Sequence, residues 1–296
     1  MTGPIRLGTA EIHRVEELSA ALPLAMFGAD EALIARNADW LYPLWADRAG
    51  NWDMVVQSWV VIADGRVTVV DPCVGNGLNL PDFPLFHMLD TPFIERFAAT
   101  GIKPEQVDAV FCTHLHSDHC GWNTHLRDGR YVPTFPNARY YMAQREVERW
   151  DPRRLGYRHT PLNAGIFENS VLPILEAGLA EVIPANHRIA PGLESVATPG
   201  HTLGHTALHL TSKGQHAWFT GDTFHHPLEL LHPELDAQSC EDYAATVATR
   251  RRLLDMFVAT GALIVPAHFA APHAGYVREE AGVRRFVPLG LESIEP

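Results

Sequence analysis

The chain has 296 residues, of which 46% are hydrophobic and 20% are charged. This length and apolar content allow a large buried core, as one domain or two smaller ones. The formal net charge is −12, and an acidic surface repels phosphate backbones, so we expect a small-molecule substrate and no nucleic-acid partner. No long apolar run is free of charges and the first residues lack a signal-like pattern, so we expect neither a membrane span nor secretion. The four cysteines have no paired spacing, which favours the cytoplasm.

The pattern of apolar residues predicts strands followed by helices in both halves of the chain. A hairpin with its turn at Asp64-Gly65 joins predicted strands 55–62 and 67–70. The other predicted strands are 10–15, 109–112, 140–142, 182–183, 194–197, 206–210, 217–220 and 263–265, and the predicted helices are 92–100, 144–150 and 241–260. No internal repeat or linker is evident, so we predict a single layered α/β domain over residues 1–296.

The segment from about residue 19 to residue 51 departs from this pattern. Large apolar side chains, including Met26, Phe27 and Trp45, lie among small residues and prolines. The segment is too apolar for a linker, so we predict an N-terminal arm or cap. It either covers a pocket or a subunit contact, or packs on its own domain, and the sequence leaves these alternatives open.

Residues 113–119 read Thr-His-Leu-His-Ser-Asp-His and follow a predicted buried strand. They hold four metal-competent side chains, those of His114, His116, Asp118 and His119. An irregular loop can turn all four toward one point, whereas a helix spreads them around its cylinder and a strand alternates them between faces. Three histidines and a carboxylate favour a borderline-soft ion such as zinc over calcium or magnesium. The alternative is a histidine-rich surface loop, since the chain has 17 histidines.

The ligands in this motif are so close in sequence that neighbouring side chains diverge, which predicts two ions with further ligands. Three more loops after predicted strands supply candidates: His201, Asp222 and His268. Each follows a small or turn-forming residue, such as Gly221 before Asp222, that lets the backbone bend close to a buried ion. Each loop alone is a weak signal, and the set is a strong one.

With these residues in place, the chain resembles the metallo-β-lactamase-fold hydrolases from about residue 55 to residue 268. The resemblance rests on the His-x-His-x-Asp-His loop, the Pro-Gly-His-Thr stretch at 199–202, Asp222 and the final histidine. It implies an αββα four-layer sandwich with a dinuclear site. The implied ligands of one ion are His114, His116 and His201; those of the other are Asp118, His119 and His268; Asp222 bridges both. It also implies that Asp71 supports a ligand from behind.

Two divalent ions, which we expect to be Zn²⁺ with Mn²⁺, Fe²⁺ or Co²⁺ as alternatives, lower the pKa of a shared water toward ~7. The predicted reaction is therefore hydrolysis by a metal-bridging hydroxide, with Asp118 moving the proton. Asp222 is also predicted to be catalytic. Within the family that the chain resembles, the intact Asp118 and Asp222 separate it from the β-lactamases, where a cysteine usually replaces the bridging carboxylate. The chain is most similar to the lactonase and organophosphate-hydrolase-like branch, whose members tend to dimerise, so the resemblance implies a homodimer.

The substrate prediction is a small neutral lactone or ester, because Trp122, Phe269 and the arm around Met26 and Phe27 suggest an apolar pocket. His225 stands where several quorum-quenching lactonases have a tyrosine, three residues after the bridging aspartate. Its imidazole is predicted to donate a hydrogen bond to an oxyanion, with His226 the weaker candidate. The alternatives are a phosphotriester hydrolase, a thioesterase, an iron-dependent redox enzyme and a binding protein on the same fold.

Overall fold

The computed structural model describes residues 3–235 and 240–290. Its strands are, in chain order, β1 (Ile5–Leu7), β2 (Ala10–Pro23), β3 (Asn51–Ala63), β4 (Arg66–Val70), β5 (Ala109–Phe111), β6 (Thr124–Arg127), β7 (Arg130–Pro133), β8 (Arg139–Ala143), β9 (Ala180–Ile183), β10 (His187–Ala190), β11 (Leu193–Ala197), β12 (Thr206–Ser212), β13 (Gln215–Gly221), β14 (Leu263–Pro266), β15 (Gly275–Glu280) and β16 (Val283–Pro288). Its α-helices are α1 (Glu31–Arg36), α2 (Ala38–Leu41), α3 (Phe93–Ala98), α4 (Ser117–Cys120), α5 (Gln144–Trp150), α6 (Leu172–Glu176), α7 (Pro227–Leu231) and α8 (Tyr243–Thr260).

The strands form two large sheets, one from each half of the chain. The first has the order β1-β2-β3-β4-β5-β8-β9 and the second β10-β11-β12-β13-β14-β15-β16, while β6 and β7 pair as a separate hairpin. In the first sheet β4, β5, β8 and β9 run parallel to one another. In the second, β13 and β14 are parallel. Parallel strands end at the same edge of their sheet, so the loops after β4 and β5, and those after β13 and β14, lie together.

Three apolar layers hold the sheets and helices together. Between the sheets, Trp59 and Phe111 of the first meet Leu208 and Phe219 of the second. A second core lies on the other face of the first sheet, and a third packs the outer face of the second sheet, including Trp218, against α8. Each sheet therefore has a helical layer on its outer side and the other sheet on its inner side. The predicted α/β class and αββα sandwich are confirmed.

Strand β2 is longer than predicted, and the difference changes the arm. Residues 19–23 were assigned to the arm, but they continue β2 and pair with β3 from Ser19↔Val55 to Pro23↔Asn51. Ser, Ala and Pro are weak strand formers, so the pairing partner rather than local propensity decides this segment. The rest of the arm contains α1, α2 and a 3₁₀ turn at Leu24–Phe27.

The other predicted elements agree with the structure to within a few residues, but several elements were missed. The hairpin turn lies at Asp64-Gly65, and α8 begins after Asp242, whose side chain accepts a hydrogen bond from the N–H of Ala245. The strands β1, β6, β7, β10, β15 and β16 and the helices α4, α6 and α7 were not predicted. Within the described residues, no helix is both long and apolar enough to span a bilayer. The domain limits 1–296 stay a prediction, because residues 1–2, 236–239 and 291–296 lie outside the described chain.

Candidate metal centre

The candidate ligands meet at the edge where the parallel strands of both sheets end. Asp71 directly follows β4, and the 113–119 motif begins two residues after β5. On the other sheet, Asp222 directly follows β13 and His268 lies just after β14, while His201 is in the loop between β11 and β12. The N–H of Thr206 donates to the carbonyl of Thr113 at 2.9 Å, which ties the two edges together.

The first cluster contains His114, His116, His201 and Asp222. The Nδ1 atom of His116 lies 3.0 Å from Nε2 of His114 and 2.9 Å from Nε2 of His201. Ligands around one tetrahedral zinc with Zn–N bonds of ~2.05 Å are separated by roughly 3.3 Å. Three ring nitrogens therefore converge at about the spacing that a single ion requires.

The second cluster contains Asp118, His119 and His268. In each cluster, every residue offers one donor atom, and these atoms lie within 4.8 Å of one another. Oδ2 of Asp118 is 3.8 Å from Nε2 of His119 and 3.7 Å from Nε2 of His268. The helical turn α4 carries Asp118 and His119, so the motif divides where its loop becomes helical.

Asp222 lies between the two clusters and directs one oxygen at each. Its Oδ2 is 3.3 Å from Nε2 of His201 and 3.8 Å from Nε2 of His114. Its Oδ1 is 3.1 Å from Nε2 of His119 and 3.0 Å from Nε2 of His268. One carboxylate thus faces ring nitrogens of both groups, which is the geometry that a bridging ligand needs.

The polar atoms at this point fit a pair of bound cations. Oδ1 of Asp222 and Nε2 of His119 are buried and, although 3.1 Å apart, make no hydrogen bond of good geometry among the described residues. Burying such atoms unpaired is costly, and metal coordination removes the cost. All seven candidate ligands are buried, none of them more than 8% exposed. Histidine nitrogens with carboxylates in a closed pocket favour zinc or a similar transition metal over calcium.

Electrostatics keep several of these groups in the form that binds a cation. Burial lowers the pKa of His116 to about 3 and lowers the pKa values of His114 and His201, so these rings are neutral near pH 7. Burial alone would raise the pKa of Asp222, but His119 and His268 hold it well below its usual value. The bridging position is therefore an ionised carboxylate.

Asp71 supports the first motif from behind, as predicted. Its Oδ2 lies 3.0 Å from Nδ1 of His119 and accepts a hydrogen bond from the hydroxyl of Thr113 at 2.8 Å. That hydroxyl is 3.1 Å from Nδ1 of His114. A carboxylate on the far nitrogen of a ligand histidine fixes its ring orientation and tautomer. Asp71 therefore acts on both clusters, since His114 belongs to one and His119 to the other.

The loop before Asp222 depends on a glycine. Gly221 has φ +47°, and a Cβ there would lie 2.4 Å from Oγ1 of Thr113 and 2.8 Å from Nε2 of His205. The N–H of Asp222 donates to Nε2 of His205 at 3.2 Å, and Thr198 satisfies the other ring nitrogen at 2.7 Å. His205 is thus a hydrogen-bonded structural residue, as predicted, and Gly221 lets the bridging carboxylate reach the centre.

Two buried polar residues that the sequence did not single out join the ligand loops. The carboxylate of Glu146 on α5 accepts hydrogen bonds from the N–H of Leu115 and of Gly204, each at 3.0 Å. It also accepts from the Thr202 hydroxyl at 2.6 Å and the Trp150 indole at 3.0 Å. Glu146 therefore bridges the loop of His114 and His116 to the loop of His201.

Asn163 is the second of these residues. Its amide donates to the carbonyl of Leu115 at 2.7 Å and accepts from the N–H of Ser117 at 3.1 Å. The only sequence signal for Glu146 is a carboxylate four residues before Trp150, on one face of a predicted helix. Asn163 and one half of the contacts of Glu146 use backbone groups, which residue identities do not reveal.

His225 faces the centre, and His226 does not. Nε2 of His225 is 3.3 Å from Oδ2 of Asp222, and its ring lies 5.1 Å from that of His201 and 5.9 Å from that of His268, between centroids. The Nε2–H of His226 donates to the carbonyl of Trp45 in the arm at 2.8 Å. The ring of Phe27 stacks on His225 with centroids 5.6 Å apart, so the arm packs on its own domain and reaches the site.

The other predicted pocket residues have different surroundings. The ring of Trp122 stacks on Phe93, and its indole N–H donates to Glu17 at 2.6 Å. Phe269 is fully buried against the rings of Trp45 and Phe286. Phe269 has no exposed surface, so the prediction that it lines the substrate pocket is wrong. Trp122 borders a cavity that none of the seven candidate ligands lines, so its contact with substrate stays a prediction. Met26 is 44% exposed beside Phe27.

A sequence profile of the metallo-beta-lactamase superfamily matches residues 52–268, so the chain belongs to this superfamily. An N-acyl homoserine lactonase from a Bacillus species is 28% identical over 111 residues, and one from Bacillus cereus is 29% identical over 108 residues. Each match covers 36% of this chain and 34% of the relative. The matched part thus spans about a third of each lactonase.

Solved structures resemble the whole chain. Hydrolase AbOPH of the beta-lactamase superfamily gives a TM-score of 0.79 at 22% identity, covering 97% of both chains. AidC, a dizinc quorum-quenching lactonase, gives 0.76 at 19% identity, covering 96% of both. A probable metal-dependent hydrolase from Staphylococcus aureus gives 0.73 at 19% identity, covering 92% of this chain and 94% of the other. At these identities the likeness shows a shared fold.

Proposed function

We propose that this protein is a dinuclear metal-dependent hydrolase that acts on a small neutral lactone or ester. The observation that carries the proposal is Asp222, whose two oxygens each face ring nitrogens of a different ligand group within 3.3 Å. Superfamily membership and the lactonase relatives support hydrolysis and the substrate class. His114, His116 and His201 would hold one ion, and Asp118, His119 and His268 the other, with Asp222 shared between them.

Two divalent ions at these positions supply Lewis acidity, which polarises a carbonyl and acidifies a water. The surrounding residues do the rest. Asp118 is the most exposed of the seven candidate ligands, and a carboxylate at the rim of the centre is placed to take a proton and return it. His225 presents Nε2 beside Asp222, where an imidazole N–H stabilises negative charge on a substrate oxygen. The ring of Phe27 covers one side of the His225 ring.

The experiment is a panel of lactones, aryl esters, phosphotriesters, thioesters and β-lactams against zinc-loaded and manganese-loaded protein, with metal content measured for each sample. We expect two metal ions per chain and the highest kcat/KM on a neutral lactone or ester. Fastest turnover of a phosphotriester would replace the substrate class and leave the metal centre standing. Iron with oxygen consumption, or no turnover of any substrate by metal-replete protein, would overturn the hydrolase.

The matched variant for this test is Asp222→Ala. A bridging carboxylate serves both ions, so its loss should remove bound metal and activity together. Normal metal content with full activity would contradict the bridging role. Zinc as the native metal, a cytoplasmic location and a homodimer stay predictions. Elemental analysis tests the first, cell fractionation the second and light scattering the third.

A further inference from the structure

A fully buried carboxylate, Glu229 on α7, lies directly behind His225. Its Oε2 accepts hydrogen bonds from the N–H of His225 at 2.5 Å and from the N–H of His226 at 3.2 Å. The same oxygen is 3.5 Å from Nδ1 of His225, the ring nitrogen that faces away from Asp222. Nδ1 has no hydrogen bond of good geometry among the described residues, so Glu229 is the acceptor placed nearest to complete it.

Arg250 holds this carboxylate in place from α8. Its Nη2 donates to Oε1 of Glu229 at 2.5 Å, and both side chains are completely buried. Its Nε donates to the carbonyl of Thr223 at 2.8 Å, and its Nη1 donates to the carbonyl of Leu235 at 2.6 Å. The guanidinium therefore fixes Glu229 and the backbone beside Asp222 at once, which a rigid planar fork does well.

A simple helix cap does not account for this arrangement. Glu229 does cap α7, since it accepts from the N–H of His226 at the helix start. A cap needs only that contact, and an exposed carboxylate would serve. Here the same oxygen also reaches the His225 N–H and faces its ring, and the other oxygen is paired with a buried arginine. Removing both charged groups of an ion pair from water costs free energy, and capping a five-residue helix does not require that cost.

We propose that Glu229, clamped by Arg250, is a positioning residue that holds the His225 ring with Nε2 aimed between the two ligand groups. Glu229 fixes the backbone of His225 through its N–H and the ring through Nδ1. Its loss lets the ring turn about its side-chain bonds while the seven candidate ligands keep their contacts. This inference rests on the proposed hydrolysis for its kinetic consequence, but the ring orientation is a property of the protein by itself.

The kinetic test is a double-mutant cycle of Glu229→Gln and His225→Phe on the best substrate of the panel. Misplacing a reacting group by about 1 Å costs on the order of 100-fold, so we expect Glu229→Gln to lower kcat ~10-fold to ~100-fold with little change in KM or metal content. In the His225→Phe background the same change should alter kcat by no more than about twofold, because the two residues act as one unit. Equal losses in both backgrounds would overturn the positioning role.

The second readout needs no activity. Long-range ¹H–¹⁵N spectra of the zinc-loaded protein report the histidine rings, and His225→Phe identifies the His225 signals by their disappearance. We expect Glu229→Gln to shift or broaden those signals and to leave the ligand histidine signals in place. Unchanged His225 signals in Glu229→Gln would overturn the inference, even if the protein is a fully active hydrolase. Absent turnover with shifted signals would count against the proposed function alone.

Two further variants control for folding. Glu229→Asp keeps the charge for Arg250 and withdraws the carboxylate by one methylene, so it should fold and move the His225 signals by a smaller amount. Glu17→Gln makes the same chemical change at another buried carboxylate, which accepts from the N–H groups of Val74 and Gly75. It should leave the His225 signals and kcat unchanged. His225 signals that are the same in Glu229→Asp, Glu17→Gln and the wild type would contradict the clamp.

Discussion

Two buried glutamates support the metal centre from different sides, and they are stabilised in opposite ways. Glu146 accepts four hydrogen bonds, all from neutral donors, and burial raises its pKa. Glu229 is paired with Arg250, and although burial alone would raise its pKa, Arg250 and His225 hold it at about 2. The neutral donors around Glu146 come from two ligand loops, so this carboxylate holds the loops together. The ion pair with Arg250 fixes the side chain of Glu229, so this carboxylate can orient the single ring of His225.

The largest effect should come from removing the cation of the ion pair. Arg250→Met leaves the charge of Glu229 buried without its partner, which typically destabilises a protein by about 3–5 kcal/mol. Urea unfolding of the metal-free protein measures it. The double variant Arg250→Met with Glu229→Gln should recover part of the loss, since no unpaired charge remains. A double variant less stable than Arg250→Met alone would show that the unpaired charge of Glu229 is not the cause of the lost stability.

Glu146→Gln should lower the free energy of unfolding less than Arg250→Met does, and it should also weaken zinc binding. A glutamine keeps one acceptor oxygen and turns its NH₂ toward two of the four donors, which costs about 1–3 kcal/mol. The loops of His116 and His201 then lose their common anchor, and zinc affinity should fall by ~10-fold to ~100-fold. Competition with a zinc chelator measures the affinity. Glu229→Gln is the matched variant and should leave zinc affinity nearly unchanged. An equal loss of zinc affinity in both variants would show that the two glutamates do not have separate roles.

The two glutamates should also give opposite pH dependences of stability. The folded pKa of Glu229 is about 2, below its ordinary 4.5, so its contribution is present above pH 4.5 and is lost as pH falls from 4.5 toward 2. The folded pKa of Glu146 is raised, so its ionisation costs stability as pH rises above 4.5.

Urea unfolding of metal-free protein from about pH 6 to about pH 3 tests this difference. The stability gap between wild type and Glu229→Gln should narrow as the solution is acidified below pH 4.5. The stability gap between wild type and Glu146→Gln should widen on acidification, because the buried carboxyl of Glu146 stabilises the folded state more when it is protonated. Parallel curves for both variants would show that the buried environments do not differ as described.

The sequence predicted the ligand groups but neither of these glutamates. His114 to His119, His201, Asp222 and His268 each follow a strand end, so their meeting follows from two sheets whose parallel strands finish at one edge. Glu146 is recognisable only by contacts that are distant in the chain, with the N–H groups of Leu115 and Gly204, and such contacts leave no residue pattern. The contacts of Glu229 with His225 and His226 are local, but its pairing with Arg250 on α8 is not visible in the sequence.

The arm shows the same limit for the fold. Residues 19–23 are weak strand formers, and their strand exists because β3 supplies a partner. Likewise, the apolar character of Trp122, Phe269 and Phe27 is visible in the sequence, but only the packing shows that Phe27 alone of the three contacts His225. Apolar composition predicts burial, and it does not say on which side of a ligand loop a ring will lie.

The smallest effect should come from Phe27→Leu, which alters the contact with His225 through packing alone. The ring of Phe27 stacks on the imidazole of His225. The carboxylate of Glu229, in contrast, accepts a hydrogen bond from the backbone N–H of His225 and faces its Nδ1. A leucine keeps the site apolar but loses the flat face, so we expect KM for a neutral lactone to rise by about threefold, with kcat and metal content unchanged. Glu229→Gln should show the converse, a lower kcat with little change in KM. A fall in kcat for Phe27→Leu as large as that for Glu229→Gln would mean that stacking, rather than the buried carboxylate, orients His225.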